Sequence, residues 1–215
     1  MATSNWSTFF DNVLPYVKGC AVPMAQNKIV EAAIEFCNES FVWKYDHPAV
    51  DAVAAQPTYP FVPAANTKIV RIDRAWYDGK NIYPKIEAEL DALYKAWPLE
   101  TGTPLYYIQD QLESVRLVPF PSAALVGALV MRVCLRPTNA APGLDTQLWE
   151  RFIDEIAAGA LSKLMVMPDK PWTNTGQAAY FSGIFENGKD AARMKATKGW
   201  TRSSIRPTGQ SSRFL

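Results

Sequence analysis

Histidine is almost missing from this chain, with His47 the single one among 215 residues. A Ser/His/Asp or Cys/His/Asn triad would have to use it. The surrounding segment, Tyr45 to Pro48, contains no recognisable nucleophile motif and opens a proline-rich stretch that we interpret as a loop. One histidine and three scattered cysteines cannot supply an ordinary zinc site, and no glycine-rich phosphate loop is present. The sequence therefore predicts no catalytic residue, no metal site and no cofactor.

Disulfides and membrane spans are also disfavoured. Cys20, Cys37 and Cys134 are odd in number and lack a C-x-x-C pattern, which favours reduced, buried thiols. No apolar run reaches the ~20 residues that a membrane-spanning helix needs. Residues 1–5 are polar and uncharged, unlike a signal peptide, and a net charge of +1 gives no global field toward nucleic acid. We expect a soluble protein made in the cytoplasm, with no membrane partner.

Amphipathic helical patterns occupy both ends of the chain. Apolar residues recur at helical spacing from Met24 to Trp43 and from Leu148 to Met167, and a shorter pattern covers Trp6 to Val17. Asp145 is a candidate N-cap for the Leu148 helix. After a proline break, Asn174 to Phe185 forms a second pattern, which predicts an antiparallel helix pair.

A candidate cap and two small residues add to the prediction of a helix pair. Asn174 or Thr175 can cap the second helix of the pair. Gly159 and Ala160 lie in the middle of the first, where a glycine costs about 1 kcal/mol in helix propensity relative to alanine. Small side chains at these positions would let a neighbouring helix approach closely.

Strand patterns dominate the middle of the chain. Thr67 to Tyr77 alternates and is rich in β-branched and aromatic residues, and Asp78-Gly79 is a strong two-residue hairpin turn before a return strand at Lys80–Pro84. The apolar run from Leu125 to Leu135 is interpreted as a strand buried on both faces, with a helix as the alternative. Further expected elements are a helix over 86–94, a hairpin pairing 105–109 with 114–118, and irregular chain over 47–65.

The last segment differs in composition from everything before it. Residues 195–215 contain five basic residues, no acidic residue and only isolated hydrophobic side chains. Such a segment cannot bury enough apolar surface alone to offset its ordering entropy, so we expect it to be flexible in the free chain. Three interpretations stay open: a solubilising end, a nucleic-acid-binding arm, or a tail that folds onto a protein partner through pocket-by-pocket docking.

The expected fold class is α+β: an antiparallel helical bundle with a β-rich insertion and an extended, flexible C-terminal arm. The N-terminal helices of the bundle occupy residues 1–45. The insertion, with one short helix, covers 46–143, and the C-terminal helix pair covers 144–194. The arm takes the remaining residues, 195–215.

The order and spacing of several segments resemble a known family, the head-to-tail connector (adaptor, or neck) proteins of tailed bacteriophages, of the tail-tubular-protein-A or gatekeeper-like type. The segments that carry the resemblance are Val13–Val17 with Gly19-Cys20, Ala32–Cys37 with Val42-Trp43, Val115–Pro121, Glu155–Leu164, Pro171-Trp172 and Ala178–Phe185. None of them is a catalytic signature.

The resemblance implies a structural virion protein rather than an enzyme. Such proteins form a dodecameric ring between the portal protein and the next tail or neck component, and genomic DNA passes through the lumen without sequence recognition. By position and composition, the portal-binding arm would use Lys198, Trp200, Arg202, Ile205, Arg206, Arg213, Phe214 and Leu215. We further expect contacts with a neighbouring subunit or the next tail ring from Lys68, Arg71, Arg74, Trp76, Asp78 and Gly79.

Three alternatives compete with the connector interpretation. The first is a nucleic-acid-binding protein that uses the basic tail, for which affinity would fall steeply with salt. The second is a phage tail-completion or terminator protein, which would contact the tail tube and contain mostly β-structure. The third is a small hydrolase with unrecognised chemistry, which would depend on His47 as the ordinary acid–base group near neutral pH.

Overall fold

The computed structural model describes residues 2–93, 95–109 and 111–199, in which helices and strands are mixed along the chain. The helices are α1 (Phe10–Val13), α2 (Val22–Ser40), α3 (Glu87–Leu93), α4 (Thr146–Met165) and α5 (Thr175–Lys198). The strands are β1 (Thr3–Asn5), β2 (Lys44–Ala52), β3 (Thr58–Pro60), β4 (Thr67–Tyr77), β5 (Lys80–Pro84), β6 (Thr101–Gly102), β7 (Tyr106–Ile108), β8 (Ser114–Val118), β9 (Phe120–Pro121), β10 (Leu125–Pro137) and β11 (Gly143–Asp145). This mixture confirms the predicted α+β class.

The main sheet has seven strands in the order β2-β10-β4-β5-β7-β8-β3. Neighbouring strands run antiparallel except β5 and β7, which are parallel and are connected through α3. The long strand β10 lies between β2 and β4 and pairs along much of its length with both. The two-stranded pairs β1–β11 and β6–β9 are separate from this sheet.

The hairpin between β4 and β5 has the predicted turn. Asp78 and Gly79 have φ values of +49° and +72°, the left-handed conformations that a two-residue type I′ turn needs. Aspartate and glycine tolerate this region better than β-branched residues do, which is why the pair fits here. The second predicted hairpin is also confirmed, because β7 and β8 pair antiparallel with Tyr107 opposite Leu117.

The apolar run near residue 130 is a strand, β10, as predicted, and the helical alternative is wrong. Its burial is uneven along its length. Val126 and Val130 are exposed, whereas Met131, Val133 and Leu135 are fully buried. The expectation that both faces are buried therefore fails in the first half of the strand, where one face is open to solvent.

The prediction of irregular chain over residues 47–65 is wrong, because β2 continues to Ala52 and β3 covers Thr58–Pro60. β2 contains Pro48, which removes one donor from the strand. The strand accommodates it because, among the residues that the structure describes, β2 pairs only with β10 and so lies at the edge of the sheet. In addition, the pairing register shifts between Leu129 and Met131 of β10, so a bulge falls near the proline.

The predicted helix over residues 6–17 is also wrong in its details. Two single-turn 3₁₀ segments, Trp6–Phe9 and Leu14–Tyr16, flank the short α1. Pro15 lacks a backbone N–H and favours such a break. The apolar face is nevertheless buried, and the Trp6 indole donates a hydrogen bond of 2.7 Å to the carbonyl oxygen of Ala141. This contact joins the N-terminus to the segment before β11.

Helices α2, α4 and α5 pack against one another. The predicted caps are confirmed: the Asp145 side chain accepts from the N–H of Gln147, and the Asn174 side chain accepts from the N–H of Gln177. Helix α5 extends well beyond the predicted end at Phe185, so the first four residues of the predicted arm, 195–198, are helical. The predicted pair is therefore found, and the wider helical bundle stays a prediction.

Two helical glycines bring α4 and α5 together. A Cβ atom at Gly159 would lie 2.6 Å from the ring of Phe185, and one at Gly188 would lie 2.5 Å from Cγ of Glu155. From Glu155 to Gly159 the chain advances along α4, while the residues that they contact go back from Gly188 to Phe185 along α5. The two helices are therefore antiparallel. The close approach expected at Gly159 is confirmed.

One continuous group of buried side chains joins the helices to the sheet. It contains Phe36, Phe152 and Phe185 from the helices together with Leu129 and Leu135 from β10. A smaller group separate from it lies under α3 and is formed by Leu90, Trp97, Ile108 and Val118.

Replacing Gly159 with alanine tests the helix contact. The added methyl group clashes with the Phe185 ring, and we expect overpacking to outweigh the better helix propensity, lowering the free energy of unfolding by about 1 kcal/mol. Urea denaturation followed by circular dichroism measures the change. The matched control is Gly183→Ala in α5, where no described atom outside the local helix backbone and the two chain neighbours lies within 4 Å of the added carbon. Alanine should stabilise there by up to about 1 kcal/mol, and stabilisation by both changes would contradict the proposed packing.

Candidate functional site

His47 is a structural residue of the sheet rather than part of a loop. It lies on β2 and is 4 % exposed. Its Nε2 accepts a hydrogen bond of 2.9 Å from the N–H of Val62, so Nδ1 is the protonated nitrogen and donates to the carbonyl oxygen of Pro48 at 2.7 Å. The bond at Nε2 holds the segment before β4 against the edge strand, whereas the bond at Nδ1 stays within β2.

The three cysteines are free thiols. Cys37 and Cys134 are buried, as predicted, whereas Cys20 is partly exposed. Burial, with a further contribution from the charge of Asp145, raises the pKa of Cys37 to about 12. Within the described ranges, no group of three or more histidine, cysteine, aspartate or glutamate side chains is placed to hold a metal ion.

The predicted contact residues of β4 lie together on its exposed side. Lys68, Arg71 and Arg74 are exposed, and Trp76 is half-buried on the same strand. The turn formed by Asp78-Gly79 is exposed at the end of the hairpin.

Strand β10 adds positive charge directly beside β4. Lys68 is paired in register with Arg136, and Arg74 with Arg132. Like charges directly opposite on antiparallel strands destabilise a sheet. Sequence reasoning missed Arg132 and Arg136, because their approach to β4 depends on a strand register that local patterns do not define.

Two carboxylates offset part of this charge. Arg132 pairs with Asp46 of β2 at 2.8 Å, and Lys44 pairs with Asp73 at 3.0 Å. The hydrogen bond to Asp46 raises the pKa of the Arg132 guanidinium, although partial burial acts in the opposite direction. Positive and negative side chains are therefore interleaved on this face, with the positive ones in excess.

A second exposed surface, around α3, is apolar. Most of α3 packs through Leu90 onto the small buried group under it. Its flanks carry large hydrophobic side chains that are more than half exposed, namely Tyr83, Ile86, Leu93, Leu99 and Leu105. Apolar side chains concentrated in one region of a surface are typical of a protein-binding site.

Helix α5, from which the predicted arm continues, is fixed by a buried lysine. The Lys189 side chain is 5 % exposed, and its ammonium group lies 2.7 Å from Glu39, 2.8 Å from Glu186 and 3.1 Å from Glu35. Lys163 of α4 pairs with the same Glu35 carboxylate at 2.6 Å. The cluster thus joins α2, α4 and α5.

Contacts within this cluster shift the pKa values of Lys189 and Glu35. Burial alone would lower the pKa of Lys189, but hydrogen bonds to Glu186, Glu39 and Glu35 outweigh it and raise the pKa above its usual 10.5. Burial would likewise raise the pKa of Glu35, but hydrogen bonds from Lys163 and Lys189 lower it below its usual 4.5. Both shifts favour the charged forms of Lys189 and Glu35 in the folded chain.

The predicted arm residues fall on both sides of the end of α5. Lys198 is the last residue of the helix. The other predicted arm residues lie outside the described part of the chain, namely Trp200, Arg202, Ile205, Arg206, Arg213, Phe214 and Leu215. Where the structure describes the chain, no helix has the length and apolar character needed to cross a membrane.

The exposed apolar side chains around α3 are typical of a protein that assembles with others. The model of the SU10 adaptor protein family matches residues 6–208, and the chain belongs to that family. It is therefore a bacteriophage adaptor, a structural component of the virion, as its resemblance to head-to-tail connectors implied. The tail-tubular-protein-A or gatekeeper-like type stays a prediction. None of the curated proteins matches the chain.

Replacing Lys189 with methionine should destabilise the chain. The change leaves three carboxylates close together without their shared cation, and we expect the free energy of unfolding to fall by about 2 kcal/mol, less than for a fully buried pair because the carboxylates are partly exposed. The control is Lys28→Met, which removes an exposed pair with Glu31 on α2 and should cost less than about 0.5 kcal/mol. Equal losses in urea denaturation would contradict the role of Lys189.

Acid stability provides an independent test of the same cluster. Because the pKa of Glu35 is lower in the folded chain than its usual 4.5, ionised Glu35 stabilises the fold above pH 4.5 and loses this contribution as pH falls through its folded pKa. The Glu35→Gln variant should therefore show a shallower loss of stability below pH 4.5 than the parent, as measured by urea denaturation across pH. Glu31→Gln serves as the control and should retain the steep acid limb of the parent.

Proposed function

We propose that this protein is a head-to-tail connector that forms a ring between the portal and the tail of the phage particle. The observation that carries the proposal is the family match over residues 6–208, which includes the folded body and the greater part of the basic tail. The ring is dodecameric, as the resemblance implies, and lies in the neck of the virion. Genomic DNA passes through its lumen without sequence recognition.

The C-terminal arm is the proposed portal-binding element. It begins at the end of α5, a helix held in place by Lys189, so its starting point on the subunit is well defined. Trp200, Ile205, Phe214 and Leu215 are spaced apart in sequence and suit separate pockets, while the arginines between them suit bidentate contacts to carboxylates. The cost of ordering the arm is met on docking, and twelve arms in one ring bind with avidity.

The rest of the subunit is assigned to ring formation and to the tail side. Helices α2, α4 and α5 act as the helical bundle of the connector. The exposed face of β4, with Lys68, Arg71 and Arg74, contacts a neighbouring subunit or the next tail component together with the hairpin turn. The repulsion between like charges within this sheet is offset when a partner supplies opposite charge.

A truncation after Gly199 tests the arm. It preserves the whole of α5 and removes the tail, so we expect the folded monomer to remain and binding to portal assemblies to be lost. Light scattering of the full chain and the truncated chain, each mixed with portal from the same phage, measures the bound mass. A truncated chain that binds portal as the full chain does would refute the role of the arm.

Two matched tail variants separate the contributions within the arm. One replaces Trp200, Ile205, Phe214 and Leu215 with serine, and the other replaces Arg202, Arg206 and Arg213 with glutamine. We expect both variants to weaken portal binding. In the arginine variant, the remaining affinity for portal should also depend less on salt concentration. A different set of results would favour the nucleic-acid interpretation. The chain would then bind duplex DNA and not portal, and its DNA affinity would fall steeply with salt and be lost when the tail is removed.

A further inference from the structure

A cleft of about 330 Å³ lies between the C-terminal end of α2, strand β4 and the last turns of α5. Its walls come from three separate parts of the chain, so the fold rather than a local motif creates it. The charged or hydroxyl-bearing side chains that line it include Ser40, Lys44, Arg71, Asp73, Arg74 and Arg193.

The cleft is strongly positive. Four cationic side chains and one carboxylate line it, which gives a net charge of +3. The carboxylate, Asp73, already pairs with Lys44 at 3.0 Å. Across the described ranges, no carboxylate oxygen lies within 4.0 Å of the guanidinium groups of Arg71, Arg74 and Arg193. Guanidinium groups only donate hydrogen bonds, so the cleft is an environment for an oxyanion.

An aromatic ring positions two of these arginines. Cζ of Arg71 lies 3.9 Å from the centroid of the Phe41 ring, and Cζ of Arg193 lies 5.5 Å from the same centroid. Phe41 itself has a φ of +54°, an unusual conformation for a phenylalanine, at the end of α2. Contact with a ring limits the freedom of a guanidinium group, so less entropy is lost when an anion binds.

A buried hydroxyl group in the wall of the cleft lacks a partner. Ser40 is fully buried, and its Oγ makes no hydrogen bond to any of the described residues. Buried polar groups without a partner are uncommon, because each retains the cost of losing its contact with water. Because the hydroxyl oxygen is enclosed, it lowers the stability of the folded chain and does not contact an occupant of the cleft.

The surroundings favour a protein carboxylate over a nucleic-acid phosphate. Asp46 and Asp73 are interleaved with the cations of this face, and the whole chain has a net charge of only +1, whereas nucleic-acid surfaces carry a continuous basic stripe. The chain's own tail is a poor occupant, because residues 200–215 contain arginines and no acidic residue. Planar guanidinium groups pair well with carboxylates at protein interfaces.

We propose that this cleft receives the Glu87 carboxylate from α3 of a second copy of the chain. The inference rests on the proposed ring and names the surfaces that join its subunits: the cleft of one copy and the exposed end of α3 of the next. Such a contact is heterologous, because different surfaces of the two copies meet, and heterologous contacts generate rings when the rotation closes.

The α3 region has the properties required of the other half of this contact. Glu89 is paired with Lys85 at 3.0 Å, and Asp91 accepts a hydrogen bond of 2.7 Å from the Trp97 indole. Glu87, in contrast, has no ion-pair partner among the residues that the structure describes. The adjacent Ile86 is 63 % exposed, so apolar contact would accompany the charge pair.

A charge exchange between the two surfaces is the sharpest test. Arg74→Glu and Glu87→Lys, each made alone in the full chain, should lower the self-association constant about tenfold or more, because each places like charges together. The two changes combined in one chain should restore it to within about threefold, since the exchanged charges meet across the interface. Sedimentation velocity over a range of concentrations measures association, both alone and on portal assemblies.

Two further variants separate this contact from general charge effects. Lys18→Gln removes an exposed cation that lies outside the sheet and does not line the cleft, and we expect association to stay within about twofold of the parent. Ser40→Ala removes the enclosed hydroxyl group that lacks a partner, so it should raise the Tm of the dissociated chain and leave association within about twofold of the parent.

The possible contrary results are distinct. Failure of the combined variant to recover, or unchanged association in both single variants, would overturn the inference. A third result would also overturn it: the chain binds a 20-base-pair duplex, and Arg74→Glu abolishes this binding without changing self-association. The occupant of the cleft would then be a nucleic-acid phosphate. Portal binding that depends on the tail but not on these charges would leave the proposed connector function intact and remove only this subunit contact.

Discussion

The ammonium group of Lys189 is the contact on which the arrangement of the helices depends. A buried charge is tolerated only where its partners are in place, and here they come from α2 and from α5 itself. A shift of α5 along α2 would separate the lysine from Glu35 and Glu39 and leave it uncompensated. Arg193, one turn further along, and the point where the tail begins both take their positions from this constraint.

Local features of the fold could be predicted from the sequence, because short-range chemistry decides them. Asp78-Gly79 fits a turn with two left-handed residues, and Asp145 and Asn174 are helix caps whose side chains reach the first N–H groups of the next turn. Gly159 marked the close helix contact. Each of these predictions depended on residues that lie only a few positions apart in sequence.

Features that depend on distant parts of the chain were missed. The helical pattern was predicted to end at Phe185, whereas α5 continues to Lys198, and Lys189, usually an exposed residue type, is buried there among carboxylates. The proline in β2 argued against a strand until its edge position was known. Likewise, the opposition of Arg74 and Arg132 depends on the register of β4 against β10, and the positive cleft depends on three segments meeting. Only the tertiary fold contains this information.

Because cations of β4 and β10 lie opposite one another, raising the ionic strength should stabilise the isolated subunit and weaken its assemblies. Dissolved salt screens the repulsion between Lys68 and Arg136 and between Arg74 and Arg132, which favours the isolated folded chain. The same screening weakens attraction to any acidic partner. At low ionic strength a sheet of this kind gives up some stability as a monomer, and an oppositely charged partner restores it.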